Sequence, residues 1–196
     1  MPYIYKMSNA GGMSTVTRYT DMLAGNDTFV PSSYESISTV TVGSGGASTV
    51  TFSSIPATYT HLVIRSMVSA SAATTDIKMN FNGDTAANYS QHSLYGTGTS
   101  AGVAASASSS YALAGITSAT SANVAANITD VLDYANTSKN KTIRTLAGSD
   151  NNGSGGYIFF ESSAWYNTTA ITSIVLTPFT GTFSQYSSFA LYGIKG

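Results

Sequence analysis

Two histidines, His61 and His92, are the side chains here whose ordinary titration range lies nearest neutrality, and so the first candidates for proton transfer. Serine and aspartate are plentiful enough to fall near either of them. Yet no G-x-S-x-G elbow presents a nucleophile, and each histidine stands in a strand-like context that suits a structural or surface residue. Cleavage of a glycan would require two carboxylates at close quarters, whereas the acidic residues are scattered over separate expected strands. Oxygen ligands of the kind calcium takes gather at Asn80, Asn82 and Asp84, and again at Asp150, Asn151 and Asn152. Neither set is completed by a downstream bidentate glutamate, and Asn82-Gly83 is a strong turn signal, so both read as turns. No metal, cofactor or catalytic residue is assigned. The glycine-rich Gly96 to Gly102 lacks the lysine of a phosphate cradle. Asp130 and Asp133, with Lys139, Lys141 and Arg144 after them, read as ion pairs on a solvated hairpin face. Aromatics carry more promise: Tyr89, Tyr95, Tyr111, Trp165 and Tyr166 fall at strand ends or loops, where an exposed ring can stack on a sugar or a neighbouring subunit. The competing reading of each is core packing.

Those groups need a scaffold, and composition says which kind. The chain has 196 residues, 42% of them hydrophobic, enough for one good core. Ser and Thr make up roughly 30 per cent, well above ordinary usage, which favours strands and turns over helices. Eight Lys and Arg against nine Asp and Glu leave a net charge of -1 with no basic cluster, which argues against nucleic acid as a partner. There is no cysteine to form a disulfide or thiolate site. No apolar window approaches the ~20 residues of a helical membrane span, and the opening residues do not read as a signal peptide. A chain made in the cytoplasm, with no membrane partner, is expected.

The organising stretch is Ile171 to Ile194, two apolar strands joined by a polar turn, the first central and the second closing the sheet. Upstream, Ile37 to Val42 and Ser48 to Phe52 flank the glycines of 43–46 as an expected hairpin. His61 to Ser69 alternates, with Leu62, Ile64 and Val68 on one face. Asp76 to Asn82 is the cleanest alternation, with Ile77, Met79 and Phe81 inward. Gly96 to Ser110 reads as a long loop or weak edge strand. Val124 to Tyr134 places Val124, Ala126 and Ile128 inward, and Lys141 to Gly148 and Tyr157 to Trp165 are further strands. About ten strands at this spacing predict an all-β antiparallel sandwich over 35–196, jelly-roll-like, with an immunoglobulin-like sandwich as the alternative. Residues 1–34 differ. They read as an extended N-terminal anchoring arm with a short helix, Ser14 to Ala24, capped by Ser14 and stopped by Gly25. Such an arm gains order on a partner, and its contact residues are Tyr3, Tyr5, Met7, Met13, Arg18, Tyr19, Met22 and Leu23.

The stretches YKMSNAGGMSTVTRYTDMLAGN (Tyr5 to Asn26), YESISTVTVGSGGASTVTFSSIPATYTHLVIR (Tyr34 to Arg65), FNGDTAANYSQHSLYG (Phe81 to Gly96), DVLDYANTSKNKTIRTLAGSDNNGSG (Asp130 to Gly155) and FSQYSSFALYGIK (Phe183 to Lys195) carry a resemblance over nearly the whole chain. The sequence resembles a family of tailed-phage virion proteins, frequent in phages of cyanobacteria and aquatic bacteria and labelled structural or tail-fibre-like. The resemblance implies a non-enzymatic virion component assembled in the host cytoplasm. One expected place is a capsid decoration or cement protein, its arm lying over major capsid subunits and its sandwich forming a homo-oligomer, a trimer, at a symmetry axis. The other is a tail fibre or appendage that is anchored to tail subunits and binds a host surface glycan.

Overall fold

Alternation of side chains along an extended chain lets a strand bury one parity and wet the other, and that rule builds most of this molecule. The computed structural model describes residues 33–72, 74–119, 122–151 and 155–195; the arm up to residue 32, its helix and its eight contact residues lie outside them, and Tyr34, the last residue assigned to the arm, opens the first strand. Among the described residues there are strands and no helix. In chain order they are β1 (Tyr34–Thr41), β2 (Val50–Phe52), β3 (His61–Val68), β4 (Asp76–Phe81), β5 (Tyr89–Gly96), β6 (Ala101–Ser109), β7 (Ala112–Ile116), β8 (Ala125–Leu132), β9 (Lys141–Ser149), β10 (Tyr157–Trp165), β11 (Ile174–Pro178) and β12 (Ser188–Ile194). An eight-stranded sheet has the order β1-β12-β3-β8-β9-β10-β5-β6, and a four-stranded sheet has the order β2-β11-β4-β7. Every ladder is antiparallel, and the two sheets form a sandwich.

The pairing is nested: β1 with β12, β2 with β11, β3 with β8 and β4 with β7. Two hairpins, β5–β6 and β9–β10, interrupt this nest and widen the larger sheet. The chain therefore changes sheet between β1 and β2 and again between β11 and β12, which corrects two expectations. The glycines of 43–46 do turn the chain, with Gly45 and Gly46 at φ of 91° and 77°, but the flanking strands part to opposite sheets. A Cβ on Gly46 would stand 2.7 Å from the Phe183 carbonyl oxygen, so a glycine is needed where the two crossovers touch. Likewise β12 does not close a sheet beside β11; it lies inside the larger one, between β1 and β3, while β11 is flanked by β2 and β4.

Apolar parity does the packing where the two sheets face each other. Ile77, Met79 and Phe81 of β4 are buried, as their alternation indicates, and meet Leu62, Ile64 and Val68 of β3, Val131, Ile143, Trp165 and Leu191 in one cluster. Each such side chain contributes about 1.5–3 kcal/mol on leaving water. The stretch around 101–109 is indeed an edge strand, β6, nearly all of it exposed.

Candidate interaction surface

β7 is one of the two edge strands of the smaller sheet, and it lies across β8, β9 and β10 of the larger one. A buried strand edge carries backbone donors and acceptors that must find partners. Here side chains supply them. Asn127 accepts from the Ile116 N–H through Oδ1 (2.9 Å) and donates through Nδ2 to the Ile116 carbonyl (3.0 Å) and Ser66 Oγ (3.1 Å). Ser163 Oγ accepts from the Leu113 N–H at 3.2 Å, and Thr145 Oγ1 donates to the Leu113 carbonyl at 3.3 Å. Thr129 reaches the Ala114 carbonyl at 3.4 Å. Glu161 Oε2 accepts from the Gly115 N–H at 3.2 Å. Gly115, at φ of 101°, leaves the space in which the Asn127 amide sits; a Cβ there would be 2.2 Å from Oδ1.

Glu161 is 1% exposed, and its other oxygen is buried without a hydrogen-bond partner. Burial, assisted by the nearby Asp76 carboxyl, pushes the Glu161 carboxyl up to about 8, so it is neutral near pH 7. Burial also raises Asp76.

This polar layer reverses the expected parity of β8. Ala125, Asn127, Thr129 and Val131 face inward, and Ala126 and Ile128 face out. The expectation of Ala126 and Ile128 inside is corrected, because the edge of β7 needs Asn127 and Thr129. In β9 and β10 the same reversal turns Leu146, Ile158 and Phe160 outward. Ladder register aligns these residues across strands. Ile128, Leu146, Phe160, Leu94 and Val103 form one row from β8 to the free edge at β6. Beside it runs a second row: Ala126, Gly148, Ile158, Gly96 and Ala101. Two shallow hollows flank the bulky row. One, of about 430 Å³, involves His92, Ala105 and Ser162, and the other, of about 540 Å³, involves Ala126, Gly148 and Tyr157.

The five aromatics singled out from the sequence do not form one site. Tyr89 and Trp165 are fully buried, which corrects their reading as exposed rings. Trp165 Nε1 donates to Asp84 Oδ2 at 2.7 Å and Tyr89 Oη donates to the Asp84 carbonyl at 3.1 Å, so both rings turn inward to meet Phe81. Tyr95 is half-buried and stacks on Phe159, with centroids 5.3 Å apart; Tyr157 follows at 5.9 Å from Phe159. Tyr111 packs edge-on against Phe179, with Lys78 over both rings, on the smaller sheet. Tyr166 is exposed, its hydroxyl 3.0 Å from Ser90 Oγ.

The polar candidates have local partners. Asp84 accepts from Trp165, Asn88 and the Ala86 N–H, and the Asn88 bond foremost holds its carboxyl below the usual range. Asn82 Oδ1 accepts from the Thr172 and Ser173 N–H groups, and Asn80 donates to the Asp84 and Ser110 carbonyls. These bonds make the 80–84 stretch a pinned turn; in the second set, Asn152 lies outside the described residues. His61 Nδ1 accepts from the Asp133 N–H at 3.0 Å, and His92 is exposed. Lys139 does pair with Asp133 at 3.0 Å. Lys141 does not belong to that solvated face: it is buried, and its ammonium donates to the carbonyls of Asn136, Lys139 (2.9 Å) and Thr168 (3.1 Å).

No family model, curated protein or solved structure matches this chain.

Proposed function

We propose that the protein is a structural subunit of a tailed-phage particle, a capsid decoration or cement protein that works by protein–protein contact. The particle rests on the sequence resemblance, and one structural observation supports the protein–protein contact. The edge of β7 explains why Asn127, Thr129, Thr145, Glu161 and Ser163 point inward, but it leaves the outward parity free to be polar. One row of that parity is instead Ile128, Leu146, Phe160, Leu94 and Val103, bordered by the exposed Arg144, Ser162 and His92, an apolar row that water would not favour and that another protein surface would. The finer fold reading is a jelly roll: β1-β12-β3-β8 facing β2-β11-β4-β7, paired as a rolled-up long hairpin, supports it. The arm, residues 1–34, is the proposed tether to capsid subunits. Quantitative mass spectrometry of purified particles tests the assignment. A copy number near that of the shell subunits is expected, and absence from particles overturns it. Deleting Met1 to Pro31 is expected to abolish incorporation while the melting transition of residues 35–196 persists.

A tail-appendage role is favoured by one separate feature. Tyr95, Phe159 and Tyr157 make a run of stacked rings on the opposite side of the β5–β10 end, a shape that suits sugar faces. Binding on a glycan array that is lost in Tyr95→Ala, with a copy number near that of tail subunits, would move the assignment there.

A further inference from the structure

The apolar face has a pattern finer than its hydrophobicity. On four of its five strands, a bulky outward residue stands two positions from a small one: Ile128 with Ala126 on β8, Leu146 with Gly148 on β9, Leu94 with Gly96 on β5, and Val103 with Ala101 on β6. Register then sorts them into a tall row and a low row that run parallel, perpendicular to the strands, over roughly 19 Å. In the low row Ile158 is the one large residue, and it leans over its glycine neighbour: a Cβ on Gly96 would lie 3.3 Å from Ile158 Cγ2.

A tall row beside a low row is self-complementary under a twofold axis that lies between them and parallel to them. Rotation about that axis places the tall row of one copy over the low row of the other, and the reverse contact follows by symmetry. Leu146 then seats on Gly148 of the partner copy, Leu94 on Gly96, Ile128 on Ala126 and Val103 on Ala101, while Phe160 lies against Ile158. The strands of the two copies run nearly antiparallel, the ordinary arrangement of aligned sheet packing. Area agrees. Leu94, Val103, Ile128, Leu146, Ile158 and Phe160 are between 43% and 78% exposed. Side chains of that size leave roughly 600 Å² accessible, toward the ~800 Å² per partner of a standard interface.

We infer that the outer face of β8, β9, β10, β5 and β6 is a twofold interface between two copies of this chain, the tall row of each lying in the low row of the other. This rests on the reading of that face as an assembly surface, but commits it to a pair of identical copies where the sequence suggested a trimer.

Sedimentation equilibrium of the full chain tests it. A dimer is expected for the native sequence. Phe160→Glu should weaken dimerisation by about a hundredfold or more. Ala126→Phe separates fit from stickiness: it adds apolar surface yet fills the low row, so it should also weaken dimerisation, with an unchanged circular dichroism spectrum and melting transition of the monomer. Since the chain has no cysteine, Leu94→Cys supplies a single thiol, expected to react slowly with maleimide in the dimer and fast once Phe160→Glu is added. A monomeric or trimeric native chain overturns the inference, as does a dimer that survives both face substitutions. In a monomer, a slow thiol assigns the face to the chain's own arm and a fast one to a different protein. Particle incorporation is scored separately: a dimer absent from particles sinks only the virion reading, and a monomer present in them sinks only the twofold pair.

Discussion

β4 and β8 are both short antiparallel strands of alternating residues, and they use the alternation in opposite ways. β4 hides Ile77, Met79 and Phe81 and leaves Lys78 and Asn80 half-buried on its other side; β8 hides Asn127 and Thr129 and shows Ile128. The difference is what each lies beneath. Both have ladder partners on either side, β11 and β7 for β4 and β3 and β9 for β8, but β4 lies over apolar side chains of the larger sheet, so its inward residues need only fill space. β8 faces the open edge of β7, whose backbone groups need donors and acceptors from below. Where a strand edge is buried, polarity is drawn to the inside of the sheet, and the residues of the other parity inherit whatever the outside requires.

The sharpest way to break this contrast is Asn127→Leu. An apolar residue of similar size ought to improve an ordinary core, but here it strands the Ile116 N–H and carbonyl without partners. A loss of about 3 kcal/mol in denaturant unfolding is expected; a neutral or stabilising result would mean the polar layer is not needed by β7. Next in size is the pH response of Glu161. Its carboxyl, raised from 4.5 to about 8 in the fold, keeps a proton that the unfolded chain loses above 4.5, so its contribution falls as pH rises between those values and levels off above 8. Asp76 shifts in the same direction. The native chain should be about 2 kcal/mol less stable at pH 6.5 than at pH 5, and Glu161→Gln should flatten most of that slope. An identical slope in both chains would remove Glu161 from the account. The smallest effect is expected at the conventional end of the larger sheet, where Lys195 and Glu35 form a part-exposed ion pair at 2.8 Å. Lys195→Ala should cost under about 1 kcal/mol and less still at high salt.

Much of the scaffold is legible in the residues themselves. The alternations of 61–69 and 76–82, the turn at 82–84 and the strand-rich composition all follow from local preference, and local preference is what a single sequence displays. What could not be read is the consequence of distant pairing. Nothing near Asn127 announces that the 112–116 strand will lie over it, so Ile128 looked like the inward residue. Glycines at 43–46 promise a turn and are silent on whether the two strands leaving it stay together. Trp165 and Tyr89 are placed by Asp84, far from Trp165 in sequence, and position at a strand end or loop alone left an exposed ring and core packing both open. The candidate face was the least legible feature, because its two rows exist only once five strands are in register.

The nest of pairings also carries a cost in time. Glu35 and Lys195, neighbours in the finished sheet, are 160 residues apart, so β1 has no ladder partner until nearly everything described after it has been synthesised. A ribosome making this chain would hold out a lone strand while the middle of the sandwich waited for its flank. Refolding in the slow range of non-local β proteins, milliseconds to seconds, follows from that order of events, and so does a need for the cell to shield the growing chain from its own copies until the flank arrives.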